Sequence, residues 1–140
     1  MTYLLDTNVV SELRKIETGS ADPRVKAWAQ NSDLESCFLS AITILELEQG
    51  VLLMERRDLR QGSMLRSWLE RQILPDFAGR ILSVDTVIAR KCAALNVPSP
   101  KPYRDALIAA TALVHGMTVV TRNTADFKPM GVQLLDPWQS

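Results

Sequence analysis

Five oxygen-bearing side chains fall where strands give way to helices or turns: Asp6 in "LLDTN", Glu46 in "ITILELE", Asp105 in "YRDALIAA", and Asn123 and Asp126 in "TRNTADF". Each has an ordinary explanation. Asp6 suits the cap of a following helix, a role worth about 0.5–2 kcal/mol. Thr43 and Glu46 have the T-x-x-E spacing of a capping box, in which the glutamate returns to the threonine amide. Asp105 complements the dipole of a helix start, and Asn123 and Asp126 are common turn residues. Gathered at one edge, however, carboxylates repel, and the repulsion is relieved only by protonation or by a cation. A hard divalent ion answers that need: Mg²⁺ or Mn²⁺ takes oxygen ligands, and Mg²⁺ is typically held by one or two carboxylates plus substrate phosphate. Zinc chemistry has no comparable donor set. The single histidine, His115, precedes Gly116 at an expected helix end, and Cys37 and Cys92 sit singly in apolar stretches as small core residues.

Positioning these groups is the work of alternating elements. Residues 2–5 read as a strand, 9–15 as a short helix that Asn8 can cap, and 23–31 as a helix with Pro23 in its first turn. A buried strand "CFLS" leads to a longer helix over 43–58, weakened at Gly50, and then to a helical segment over 62–73 with Trp68 and Leu69 facing inward. Residues 80–84 read as a strand, 86–96 as an amphipathic helix, and 103–116 as a helix of small and apolar residues entered through Pro98, Pro100 and Pro102. "MTVVT" is a β-branched strand, 122–131 a turn-rich connection, and 132–136 a last short strand. Strands alternating with helices predict an α/β domain with a mostly parallel sheet. In such sheets ligands gather outside the carboxyl ends of the strands, where Asp6, Ser40, Asn123 and Asp126 fall.

Composition narrows the class. The chain has 140 residues, 46% hydrophobic and 23% charged, with 16 basic and 16 acidic side chains and a formal net charge of zero. That length predicts one domain, 1–140, with a sizeable core and no need of a disulfide or metal staple. Zero net charge excludes binding nucleic acid by a broadly basic surface, so any such contact must be local or helped by a partner or a metal. No apolar run approaches the ~20 residues of a membrane span, and no basic segment precedes a secretory apolar core, so a cytoplasmic, non-membrane protein is expected.

The stretches "LLDTNVVSEL", "LSAITILELEQGV", "ILPDFAGRILSVD", "RDALIAATALVHGMTVVTRNTADF" and "LLDPW", in that order, resemble the PIN-domain ribonucleases, especially the bacterial VapC/FitB toxins of type II toxin–antitoxin pairs. The resemblance implies a three-layer α/β/α domain whose acidic pocket holds Mg²⁺ or Mn²⁺ and hydrolyses RNA phosphodiester bonds, with transfer RNA a candidate substrate. Asp6, Glu46 and Asp105 match the first three acidic positions. Many relatives carry an aspartate directly after "TR", where this chain has Asn123, with Asp126 three residues on; either is a candidate fourth ligand. Asn123 brings no negative charge, which bears on a second metal ion. Thr7, Asn8, Ser11 and Thr121 are expected to orient ligands or waters, or simply to cap backbone at the strand ends. Arg122 and Arg104, with Lys101, are candidates to contact substrate phosphate or to remain solvated surface charges. The resemblance further implies a homodimer and a cognate antitoxin that covers the helix carrying Leu47, Val51 and Met54 and blocks the pocket. Two alternatives remain: a catalytically weak PIN-like RNA- or protein-binding module, motivated by Asn123, and an aspartyl-phosphate phosphatase, disfavoured because Asn8 stands where such enzymes carry a second aspartate.

Overall fold

Adjacent leucines in the first strand go to opposite sides. In the computed structural model, which describes residues 1–139, Leu4 packs with Ile88, Ala109 and Phe127, and Leu5 packs with Val9, Leu39 and Trp138. Val119 and Val120 divide in the same way. Successive strand side chains alternate faces, so a sheet apolar on both must be covered on both. The result is the three-layer α/β/α arrangement that the resemblance implies, around the parallel sheet that the alternating pattern predicts.

The order is β1 (Tyr3–Leu5), α1 (Thr7–Arg14), α2 (Pro23–Gln30), β2 (Cys37–Ser40), α3 (Ala41–Arg57) and α4 (Leu59–Trp68). A π-helical turn, Leu69–Ile73, continues into the short α5 (Leu74–Asp76), followed by β3 (Ile81–Leu82), α6 (Thr86–Leu95) and α7 (Tyr103–His115). The chain closes with β4 (Thr118–Val120), α8 (Thr124–Phe127) and β5 (Leu134–Leu135). All five strands are parallel, in the order β3-β2-β1-β4-β5. Neighbours β1 and β4 align Leu5 with Val120. The strand order reverses direction between them, and such a switch point opens a crevice at the carboxyl edge.

Several local expectations are corrected. Asp6, not Asn8, caps α1, its carboxylate accepting from the Thr7 amide, so the helix begins two residues earlier than the pattern suggested. Ser40 caps α3 through a 3.0 Å bond from the Ile42 amide, which leaves Thr43 inside the helix and fully buried. The T-x-x-E capping box therefore does not form, and Glu46 is released for another partner. The helix expected over 62–73 begins at Leu59, capped by Asp58, and gives way to the π turn after Trp68. Residues 122–131, expected as a turn, contain α8 and a 3-10 turn over Lys128–Met130.

Small residues set the approach of the remaining layers. Ala106, Ala109, Ala110 and Ala112 are fully buried on α7, which ends as expected at Gly116 in the left-handed region, φ 68°. Gly62 lets α4 fold back on α3, because a Cβ there would meet the Glu55 Cα at 2.5 Å. Cys37 and Cys92 are free and buried, and burial pushes both thiols up. No helix among the described residues is long and apolar enough to cross a membrane.

Candidate active site

The backbone that ends β1 also fixes the first carboxylate. The Asp6 amide donates to the Val120 carbonyl at 2.9 Å, extending the β1–β4 ladder by one residue and holding Asp6 at the switch point. Its side chain is only 6% exposed. Asp6 Oδ1 accepts from the Thr7 amide at 2.8 Å, while Oδ2 accepts from Thr121 Oγ1 at 2.8 Å and from Asn8 Nδ2 at 3.3 Å. Burial nevertheless wins. It raises the Asp6 carboxyl above its ordinary range against the pull of the Thr121 and Thr7 hydrogen bonds, and Glu46 and Asp126 push it the same way.

Thr121, fully buried at the end of β4, links both sides of the crevice. Besides donating to Asp6 it accepts from the Asn123 amide at 3.0 Å and lies 3.4 Å from Asn8 Nδ2. Asn8 in turn accepts from the Arg122 amide at 3.3 Å. Asn8 and Thr121 thus hydrogen-bond the first carboxylate and also cap backbone amides at the end of β4.

Glu46 reaches the same edge from α3. Freed from the expected capping box, its Oε1 accepts from Thr7 Oγ1 at 2.8 Å, and Thr7 Oγ1 lies 3.5 Å from Thr43 Oγ1. Asp105 sits in the first turn of α7, and Asp126 in that of α8. The Asp105 carboxyl is raised by burial and then by Asp6, Asp126 and Glu46. Four carboxylates from four segments therefore feel one another. Asn123 is exposed, contributes no charge and makes no side-chain cap to α8, so the fourth negative charge at this edge belongs to Asp126.

The other expected residues fall less centrally. Ser11 is exposed on α1 and, among the described residues, makes no hydrogen bond to the acids. The Arg122 guanidinium lies 5.3 Å from the Trp138 ring centroid, over the last turn of the chain. Lys101 donates from Nζ to the Ser99 carbonyl at 2.7 Å. Arg104 instead meets Glu46, its Nη1 3.5 Å from Oε2. That pairing and its neighbour Gln49, which accepts from Arg104 Nη2 at 3.2 Å, escaped the sequence reading. The one signal available was the one-turn spacing of Glu46 and Gln49 on a helix.

The donor set is all oxygen. Among the described residues no three acidic, histidine or cysteine side chains stand together as a ready ligand cage. An ion here would take one or two carboxylates and keep several waters, which is the habit of Mg²⁺. From Glu46 a groove leads away between α1 and the α3–α4 pair. Thr7, Ser11, Arg14, Val51 and Trp68 line about 240 Å³ of it, and Arg14, Met54 and Met64 line a further pocket of about 470 Å³. Leu47 and Val51 are buried in the core, whereas Met54 is partly exposed to this groove.

This fold is shared with known proteins. Residues 3–131 match the PIN domain family. The chain belongs to that family. A VapC ribonuclease, Y4jK of Sinorhizobium fredii, is 38% identical over 97% of this chain and 97% of its own length. The crystal structure of FitAcB from Neisseria gonorrhoeae contains a chain that superposes with a TM-score of 0.90 at 38% identity, covering 99% of this PIN domain and 100% of that chain. A toxin–antitoxin complex from Klebsiella pneumoniae gives a TM-score of 0.66 at 26% identity, covering 97% of this chain and 98% of that one.

Proposed function

We propose that this chain is a single PIN domain, 1–140, acting as the toxin of a type II toxin–antitoxin pair: a Mg²⁺- or Mn²⁺-dependent endoribonuclease of the cytoplasm, held in check by a cognate antitoxin. The observation that carries the reading is electrostatic. Burial raises both the Asp6 and Asp105 carboxyls; Glu46 and Asp126 push Asp6 further the same way, and Asp6, Asp126 and Glu46 do so for Asp105. A fold that gathers repelling charges at a crevice, and braces one of them with Thr121 and Asn8, is arranged to receive a cation.

Asp6, Glu46 and Asp105 would hold the ion, with Asp126 rather than Asn123 supplying the fourth charge. Bound there, a divalent ion supplies Lewis acidity toward a phosphate oxygen and acidifies water. The chain itself supplies the rest. Thr121 and Asn8 fix Asp6 Oδ2, the Thr7 amide fixes Oδ1, and the Thr7 hydroxyl aims Glu46. Glu46 is the base positioned to take the proton of an attacking water at its carboxylate. The named ribonuclease relative supports RNA as the substrate. The Klebsiella complex supports an antitoxin, for which the groove beside Met54 and Trp68 is the receiving surface, and a homodimer is the expected assembly.

The decisive experiment sequences RNA ends after brief expression of the wild type and of Asp6→Asn, alongside purified protein with and without Mg²⁺ or Mn²⁺. Cleavage that needs the ion and disappears in a folded Asp6→Asn variant is expected. Equal cutting by both proteins refutes the site. A competing reading, a binding module with weak or no catalysis, draws on Asn123 and on the lack of a ready ligand cage among the described residues. It predicts RNA or antitoxin bound, and not cut, under every metal condition.

A further inference from the structure

Both oxygens of Glu46 are engaged. Oε1 accepts from Thr7, and Oε2 faces Arg104 Nη1 at 3.5 Å. The second arm of the same guanidinium donates to Gln49 Oε1 at 3.2 Å. Glu46 and Gln49 lie one turn apart on α3, so a single arginine from the start of α7 spans them. Arg104 is the residue before Asp105, and its side chain remains 54% exposed against 24% for Glu46. No other salt bridge to Asp6, Glu46, Asp105 or Asp126 occurs among the described residues.

Three properties of this contact belong together. Glu46 Oε2 is a weaker ligand for an ion, and a weaker base toward a water, while it faces a guanidinium. An exposed pair is weak and easily exchanged. A guanidinium fork fits a phosphate as well as it fits a carboxylate, and gains from a bidentate contact. The geometry points to Arg104 as a phosphate-responsive latch: in the free protein it closes Glu46 and Gln49 over the acidic edge, and when RNA arrives it passes to a backbone phosphate and frees Glu46 Oε2. Arg104 is therefore a positioning residue for Glu46 before substrate binds, and a substrate contact afterwards. The inference rests on the nuclease reading, which it deepens by making RNA phosphate the signal that opens the site.

The test uses the full chain with Arg104→Gln and Arg104→Lys. Titration with Mn²⁺ alone, followed by electron paramagnetic resonance, should show Arg104→Gln binding the ion roughly 1.5- to 5-fold more tightly than wild type, the range expected from losing an exposed competing pair. Binding of a short single-stranded RNA, in buffer without divalent ions, should weaken in Arg104→Gln. Its dependence of log K on log salt should flatten by about 0.7, one phosphate contact on a single strand. Arg104→Lys should restore the salt slope. Gln49→Leu, which releases only the second arm, should shift Mn²⁺ affinity in the same direction by less. An unchanged Mn²⁺ affinity or an unchanged salt slope in Arg104→Gln overturns the latch. Wild type that neither binds nor cuts RNA overturns the nuclease reading itself, whereas wild type that cuts RNA while Arg104→Gln binds both ligands unaltered overturns the latch alone.

Discussion

Replacing Thr121 by valine keeps the shape of the side chain and removes the hydroxyl that holds Asp6 Oδ2 at 2.8 Å. A hydrogen bond to a charged group contributes about 1.5–3 kcal/mol, and one between neutral groups about 0.5–1.5 kcal/mol. The cost should therefore depend on whether Asp6 is ionised. Burial already raises the Asp6 carboxyl in the folded protein, with the Thr121 hydroxyl opposing that rise; valine lets it climb further. A carboxyl whose folded pKa lies above its unfolded value penalises folding fully at pH above the folded pKa, and the penalty fades as pH falls through that value toward the unfolded value of about 3.9. Thr121→Val should accordingly cost about 1.5–3 kcal/mol at pH 7 and about 0.5–1.5 kcal/mol once Asp6 is protonated. For 140 residues the entropy of unfolding converts each kcal/mol into about 3 °C of Tm. Urea unfolding at a series of pH values from 7 to 4, without divalent ions, measures the difference directly. The Asn123 amide also loses an acceptor, but an amide next to exposed Asn123 contributes equally at every pH. Thr121→Ser should restore most of the loss. A penalty of the same size at pH 7 and pH 4 would refute the assignment of Thr121 to the Asp6 carboxylate.

Asp105→Asn should raise the stability of the ion-free protein at neutral pH, because burial and three neighbouring carboxylates all disfavour the charged form. The gain should vanish as pH falls below the ordinary carboxylate range, which thermal melts across pH would record. Mn²⁺ should do the opposite, stabilising the wild type by about 2.7 kcal/mol at a hundredfold excess over its Kd while shifting the Asp105→Asn melt much less. Two glycines should part company. Gly50→Ala, with open space at its Cβ, should gain up to about 1 kcal/mol, and Gly62→Ala, with the Glu55 backbone at 2.5 Å, should lose about 1–3 kcal/mol, both read from denaturant midpoints.

The place of Asp6 at the carboxyl edge was legible from the α/β order, while its type alone left a helix cap open, and it does cap α1. The β-branched "TVV" and the small residues of α7 were legible from their residue types. What failed was competition between nearby candidates. Ser40 and Thr43 are both good caps, and the choice fell to the residue that ends β2, which turned Thr43 inward and sent Glu46 to Thr7. The π turn at Leu69–Ile73 has the apolar spacing of an ordinary helix, so periodicity could not reveal it. Arg104 was visible as a charge, but its pairing with Glu46 and Gln49 crosses from α7 to α3, a contact no local pattern encodes. Asn123 and Asp126 were left as rivals for the fourth ligand; of the two, Asp126 alone carries a charge, and that charge reaches Asp6 and Asp105.

The pairing of β1 with β4 also bears on translation. Asp6 precedes the hydroxyl that orients it by 115 residues, and the backbone that seats it belongs to Val120. Contacts this distant in sequence form only when the later strand is available to dock. A chain still being synthesised therefore carries its acids without the crevice that gathers them. The strand order thus keeps the acidic edge unassembled until Val120 and Thr121 have emerged and β4 has docked beside β1.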